Sequence, residues 1–301
     1  MRILTDDDID RLPLAPMISA VRAHIAADAT GQTIAPPRHV VNFDAGALLF
    51  TIGGDRNLAG FRVYQTFAKP GHPHDDQIVA AWDRRTGEMI GLALGNRLGA
   101  LRTAIIGAVA AGALAPVNAR TLCVVGAGRQ AETQILAVSG TRSFDEIRIA
   151  GRRPEAAAAL AAKLAGRVRA PLVPLADARA AVEEADVVIL ATASEQPVID
   201  PAWIAPHAYV ATLGPKSKQN HELPLELARR ARTIATDSPQ QIARMGDTHM
   251  LHGTPDYDRI RHLGLFADEG TEPPEGPALF LSIGLAGTEV ACLAAALDAT
   301  A

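Results

Sequence analysis

Only two cysteines occur in the 301 residues, Cys123 and Cys292. They are far apart and form no C-x-x-C, so the sequence predicts neither a disulfide framework nor a thiolate metal site. Each lies in an apolar run and is expected to be a buried thiol. Aromatic residues are 4% of the chain, too few for a stacking platform for single-stranded nucleic acid. Nor is there a basic excess. Lys plus Arg is 29 against 33 for Asp plus Glu, a net charge of −4, which argues against phosphate-backbone binding. Met1–Asp8 has no apolar core, so no signal peptide is expected. The nearest approach to a membrane span, Ala278–Leu297, is interrupted by Glu289 and reads as a buried helix or a strand–helix edge. The expected protein is soluble and cytoplasmic, with neither nucleic acid nor membrane as partner. No G-x-S-x-G, Cys–His signature or P-loop lysine occurs.

What is abundant is small and aliphatic. Hydrophobic residues are 48% of the chain, enough at this length for two domains or one large one. Thr5 followed by Asp6, Asp7 and Asp8 marks a helix start, and a helical segment through Met17, Val21, His24 and Ile25 ends near Gly31. The period then changes. His39–Phe43, Ala47–Ile52, Phe61–Phe67, Gln77–Trp82 and Met89–Leu94 are short apolar runs split by turn residues, the pattern of an antiparallel meander. Leu101–Ala115 is helical and stops at Pro116. From Arg120 onward strands alternate with helices: Thr121–Val125, Glu146–Ala150, Asp186–Ala191, Tyr209–Leu213 and Thr233–Ala235 read as strands of a parallel, doubly wound sheet.

The first of these strands runs into Gly126-Ala127-Gly128-Arg129-Gln130-Ala131, a G-x-G-x-x-A loop opening a helix. The first glycine permits the tight turn, the second lets backbone approach a pyrophosphate, and the helix N-terminus faces the anion. The strand before it and the helix after it make this a dinucleotide site of the Rossmann type. The second strand ends in Gly151-Arg152-Arg153 instead of the acid that would hold the ribose hydroxyls of NAD. Two guanidiniums suit a 2′-phosphate, so NADP(H) is favoured over NAD(H).

Arg102-Thr103-Ala104, Leu114-Ala115-Pro116 and the run Val124–Ala131 together resemble the ornithine cyclodeaminase/mu-crystallin family. Further matches are Pro37-Arg38, Gly60-Phe61-Arg62, Thr86-Gly87, Ala185–Val188, Ala191-Thr192, Pro197-Val198, Asp237-Ser238 and Ser282–Ala286, so the resemblance covers nearly the whole chain. It implies a Rossmann domain inserted in an α+β substrate-binding and dimerisation domain. The boundaries expected are 1–115 plus 281–301 for the latter and 116–280 for the dinucleotide domain. It implies a homodimer acting on a small amino or imino acid. Arg38, Arg62 and Arg102 fall at the positions that grip the substrate carboxylate, and Thr192 joins Gly126, Ala127, Gly128, Arg129, Gln130, Arg152 and Arg153 as a cofactor-binding residue. An arginine within an apolar strand, as Arg62 is, is costly to bury unless paired, either with a bound carboxylate or with an internal acid.

Two positions depart from the cyclodeaminases. A glutamate expected eleven residues after Arg38 is replaced by Leu49, and Lys216 stands where they carry a catalytic aspartate. A lysine there would repel a diamine. The resemblance therefore implies an imino-acid (ketimine) reductase or amino-acid dehydrogenase moving hydride to or from the α-carbon. Lys216, partly desolvated, is the candidate proton donor. An ammonia lyase with recycled NAD and a non-catalytic NADP- or small-ligand-binding protein are the alternatives. His72-Pro73-His74-Asp75-Asp76 and His249-Met250-Leu251-His252 with Asp256 lack a recognised zinc spacing, and no metal is expected.

Overall fold

The computed structural model describes residues 2–67, 77–268 and 270–300. The His72–Asp76 cluster lies outside the described residues. The chain divides into two units, one formed by 1–105 with 284–301 and the other by 106–283.

The first unit opens with β1 (Arg2–Leu4) and α1 (Asp6–Arg11), where Asp8 accepts a hydrogen bond of 2.9 Å from the Thr5 backbone N–H. Pro13 separates α1 from α2 (Leu14–Ala29), whose Met17, Ile18, Val21, His24 and Ile25 are buried. The strands β2 (His39–Phe43), β3 (Gly46–Gly54), β4 (Leu58–Gln65), β5 (Ile78–Asp83) and β6 (Met89–Leu94) pair antiparallel in sequence order. β1 adds to β6 in parallel, completing six strands. After β6 comes α3 (Arg97–Leu114), and the division between units falls within it.

The second unit alternates: β7 (Thr121–Val125), α4 (Arg129–Ser139), β8 (Glu146–Ala150), α5 (Pro154–Leu164), β9 (Leu172–Leu175), α6 (Ala178–Val182), β10 (Val187–Leu190) and β11 (Tyr209–Thr212). There follow α7 (Glu226–Arg230), β12 (Thr233–Thr236), α8 (Pro239–Met245), β13 (Ile260–His262) and β14 (Ala278–Leu281). All eight strands run parallel in the order β13-β12-β14-β11-β10-β7-β8-β9. The central strands β10 and β11 are buried at every position, as expected of strands of a parallel sheet covered on both faces. The order reverses between β7 and β10, which opens a crevice at the carboxyl ends of these strands.

The final helix, α9 (Thr288–Asp298), returns to the first unit and packs on α2 and on β3–β6. The apolar stretch Ala278–Leu297 is thus a buried strand and a buried helix separated by Ser282–Gly287. Cys123 on β7 and Cys292 on α9 are both free and fully buried, and burial pushes the Cys123 thiol up to about 12.

Candidate active site

In the second unit the turn between β7 and α4 lines a cleft of about 1120 Å³. Gly126 has φ +133°, and a side chain there would collide with the Ala191 carbonyl oxygen. At Gly128 a Cβ would meet nothing within 4 Å, so the loop presents bare backbone to the open cleft. Ala127, Arg129, Gln130, Arg152, Arg153 and Thr192 line the same cleft. Oε1 of Gln130 is buried and has no hydrogen-bond partner among the described residues. A glycine cradle at a helix N-terminus, an unsatisfied amide oxygen and two exposed arginines at the end of β8 fit a dinucleotide.

Two residues that line the cleft, Thr192 and Leu213, are tied together by Glu222, a fully buried carboxylate. It accepts from the Thr192 N–H at 2.8 Å and hydroxyl at 2.6 Å, from the Thr212 hydroxyl at 2.8 Å, and from the Leu213 and Gly214 N–H groups at 3.0 and 2.5 Å. It joins the ends of β10 and β11, and no motif announced it. Lys216, two residues beyond, is 5% exposed; its Nζ donates to the Gly214 carbonyl at 2.7 Å. His249 is fully buried near it. Burial, then the charges of Lys216 and His252, push the His249 imidazole down to about 4. The rings of His249 and His252 flank Tyr257, and Asp256 pairs with Arg259 at 2.6 Å. Among the described residues no group of three or more His, Cys, Asp or Glu could hold a metal.

In the first unit the three arginines come together. Arg62 on β4 and Arg102 on α3 are each 8% exposed. A Cβ built on Gly284 would lie 3.1 Å from Arg102 Nη1 and 3.5 Å from Arg38 Nη2, so both guanidiniums converge at the turn before α9. Arg62 donates from Nε to Gln77 Oε1 at 2.8 Å and lies over the Tyr64 ring, 4.2 Å from its centroid. Both Arg62 and Arg102 also reach an internal acid, Glu289, at 3.3 and 3.1 Å. The sequence showed Glu289 only as an interruption of an apolar run; a lone acid on the buried face of a helix was the available signal.

The model of the ornithine cyclodeaminase/mu-crystallin family matches residues 5–300. The chain belongs to that family. A Rhizobium meliloti protein named as a dehydrogenase is 34% identical over 182 residues, 60% of this chain and 55% of that protein. The NAD(P)H-dependent anabolic L-arginine dehydrogenase of Pseudomonas aeruginosa is 31% identical over 299 residues, 93% of this chain and 91% of its own length. Mouse ketimine reductase mu-crystallin is 29% identical over 225 residues, covering 74% and 69%. The solved structures that share the fold include two complexes. One is the iminosuccinate reductase of Paracoccus denitrificans in complex with NAD+ (TM-score 0.86, 24% identity, 100% of this chain and 96% of that one). The other is the Thermococcus litoralis Δ1-pyrroline-2-carboxylate reductase in complex with NADH and L-proline (0.85, 22%, 100% and 97%).

Proposed function

We propose that this family member is an NAD(P)H-dependent imino-acid reductase, running as an amino-acid dehydrogenase in the reverse direction. The observation that carries the proposal is the convergence of the buried Arg62 and Arg102 with Arg38 in a chain whose other unit carries a dinucleotide cradle. Relatives named as reductases of C=N bonds in imino acids support it.

The first unit, by this proposal, binds the substrate. Arg38, Arg62 and Arg102 grip its carboxylate through forked, charge-assisted hydrogen bonds. The second unit binds the dinucleotide: Gly126, Ala127, Gly128, Arg129 and Gln130 take the pyrophosphate, Thr192 borders the cleft, and Arg152 and Arg153 take a 2′-phosphate, so NADP(H) is preferred. The bound reduced cofactor supplies hydride to the carbon of the C=N bond. Lys216, desolvated, donates a proton to the substrate nitrogen as it becomes an amine. Ornithine cyclisation is disfavoured by Leu49 and Lys216, which put no acid where the cyclodeaminases have one. A homodimer is part of the proposal, supported by the exposed Val40, Val41, Phe43, Ile52, Ile78 and Leu94 of the first unit's sheet.

The test is a screen of the purified protein with NADPH or NADH and a panel of cyclic and linear imino acids, following nicotinamide absorbance. Turnover is expected with at least one Δ1-cyclic imino acid. The kcat/KM should be about tenfold higher with NADPH, roughly one charge-assisted contact's worth. Ammonia release from ornithine without turnover of any imine would overturn the proposal, and a preference for NADH would overturn the role given to Arg152 and Arg153.

A further inference from the structure

Helix α9 buries Thr288, Val290, Ala291, Cys292, Leu293, Ala296 and Leu297, and among them one carboxylate, Glu289, which is 1% exposed. A carboxylate so placed costs several kcal/mol in desolvation unless countercharges surround it. Burial alone would raise its pKa, yet Arg102 and Arg62 hold it below the usual carboxylate range. Its contacts are unevenly divided. A single oxygen, Oε1, meets Arg62 Nη1 at 3.3 Å and Arg102 Nη2 at 3.1 Å, and the Thr51 hydroxyl donates to it at 3.5 Å.

That geometry leaves donors on both forks unspent, most of them on Arg102, since Arg62 also gives its Nε to Gln77. A bidentate pair would consume two donors of one arginine; here each arginine gives Glu289 one nitrogen. Arg102 Nε is buried without a hydrogen-bond partner among the described residues. Two cations against one anion also leave a surplus positive charge in a desolvated place, and a lone buried donor beside a surplus charge is what an incoming carboxylate would satisfy.

We propose that Glu289 is a positioning residue: held between Arg62 and Arg102, its carboxylate fixes the two guanidiniums so that their remaining donors receive the substrate carboxylate. The inference rests on the carboxylate-binding role proposed above for these arginines. Glu289 touches neither substrate nor cofactor. Its removal leaves two buried cations to repel each other and swing out of register, which weakens substrate binding more than it slows the chemical step.

The experiment compares wild type, Glu289→Gln and Glu289→Asp as full-length protein. Kinetics use Δ1-pyrroline-2-carboxylate with NADPH, calorimetry uses L-proline with protein saturated in NADP+, and NADPH binding is read by fluorescence. For Glu289→Gln, KM is expected to rise and L-proline affinity to fall by about tenfold or more. Its kcat should stay within about threefold, and NADPH affinity should be unchanged. Glu289→Asp, which keeps the charge, should recover most of the loss. If Glu289→Gln does not fold, Glu289→Asp alone is expected to show a KM between one and about ten times that of wild type with kcat preserved. Unchanged KM and L-proline affinity in a folded Glu289→Gln, or no recovery in Glu289→Asp, would overturn the inference. L-Proline binding by wild type without imine turnover would remove the reductase function while leaving Glu289 to be judged by calorimetry. A wild type that neither binds L-proline nor turns over the imine would overturn both.

Discussion

A lysine 5% exposed, with its ammonium on the Gly214 carbonyl, is an unusual use of a flexible cation. The backbone around it is tied down: the Met250 N–H donates to the Lys216 carbonyl at 2.9 Å, and the Glu222 staple fixes Leu213 and Gly214 just upstream. In the proposed reaction, an ammonium held this way donates its proton from a fixed position. Replacing Lys216 by Met should therefore lower kcat by about a hundredfold or more, the usual size of a lost general acid. NADPH affinity should stay within about twofold, because Lys216 does not line the cradle. Stopped-flow measurement of hydride transfer together with equilibrium NADPH titration checks both parts. Arg62 stood out in the sequence as an arginine in an apolar strand, where a buried cation demands a partner, whereas Arg38, Arg102 and Lys216 were singled out through the family resemblance. Glu289 and Glu222 were not legible as site residues, because Glu289 meets Arg62 227 positions away and Glu222 reaches the Thr192 hydroxyl 30 positions away as well as the nearer Thr212 on β11, contacts that no local pattern announces.

In the proposed function, cofactor binding depends on the turn from β7 into α4. Gly126 at φ +133° lets the chain reverse against the Ala191 carbonyl, and Gly128, Arg129 and Gln130 at the start of α4 then line the cleft. Gly126→Ala combines a disfavoured backbone conformation with a backbone collision. It should weaken NADPH binding by about a hundredfold or more, at a cost of about 1–3 kcal/mol in the strain alone. Fluorescence titration alongside circular dichroism separates lost binding from lost folding. The antiparallel strands, the helix into Pro116 and the strands flanking the glycine loop were legible, since alternation and turn residues bound them. β1, β9 and β13 were not. They have three or four residues each, carry little periodicity, and become strands only by parallel pairing with β6, β8 and β12.

Across the whole molecule, charge is distributed by burial. A chain of net charge −4 keeps two arginines nearly out of solvent in one unit and a lysine beside a histidine in the other. The histidine gives stability a pH dependence. His249 titrates near 4 in the folded state against 6.5 ordinarily, because burial and the charges of Lys216 and His252 favour its neutral form. As pH falls below about 6.5 the unfolded chain takes up this proton before the folded one does, so stability drops down to about pH 4. Thermal unfolding from pH 7.5 to 4.5 should show a falling Tm in wild type and a shallower fall in His249→Gln; parallel slopes would assign the acid sensitivity to other groups.

The sequence by itself determined the two architectures and the glycine cradle, because periodicity, turn chemistry and a loop of fixed spacing act over short stretches of chain, and it marked the family through motifs that resemble that family's along nearly the whole length. Tertiary structure alone decided what each buried charge faces. It brought β4, α3 and α9 to one point, where a carboxylate that the linear pattern showed only as a flaw in a hydrophobic run bridges Arg62 and Arg102. Electrostatic partnership depends on distance in space and on the exclusion of water, and the order of residues specifies neither until the chain has folded.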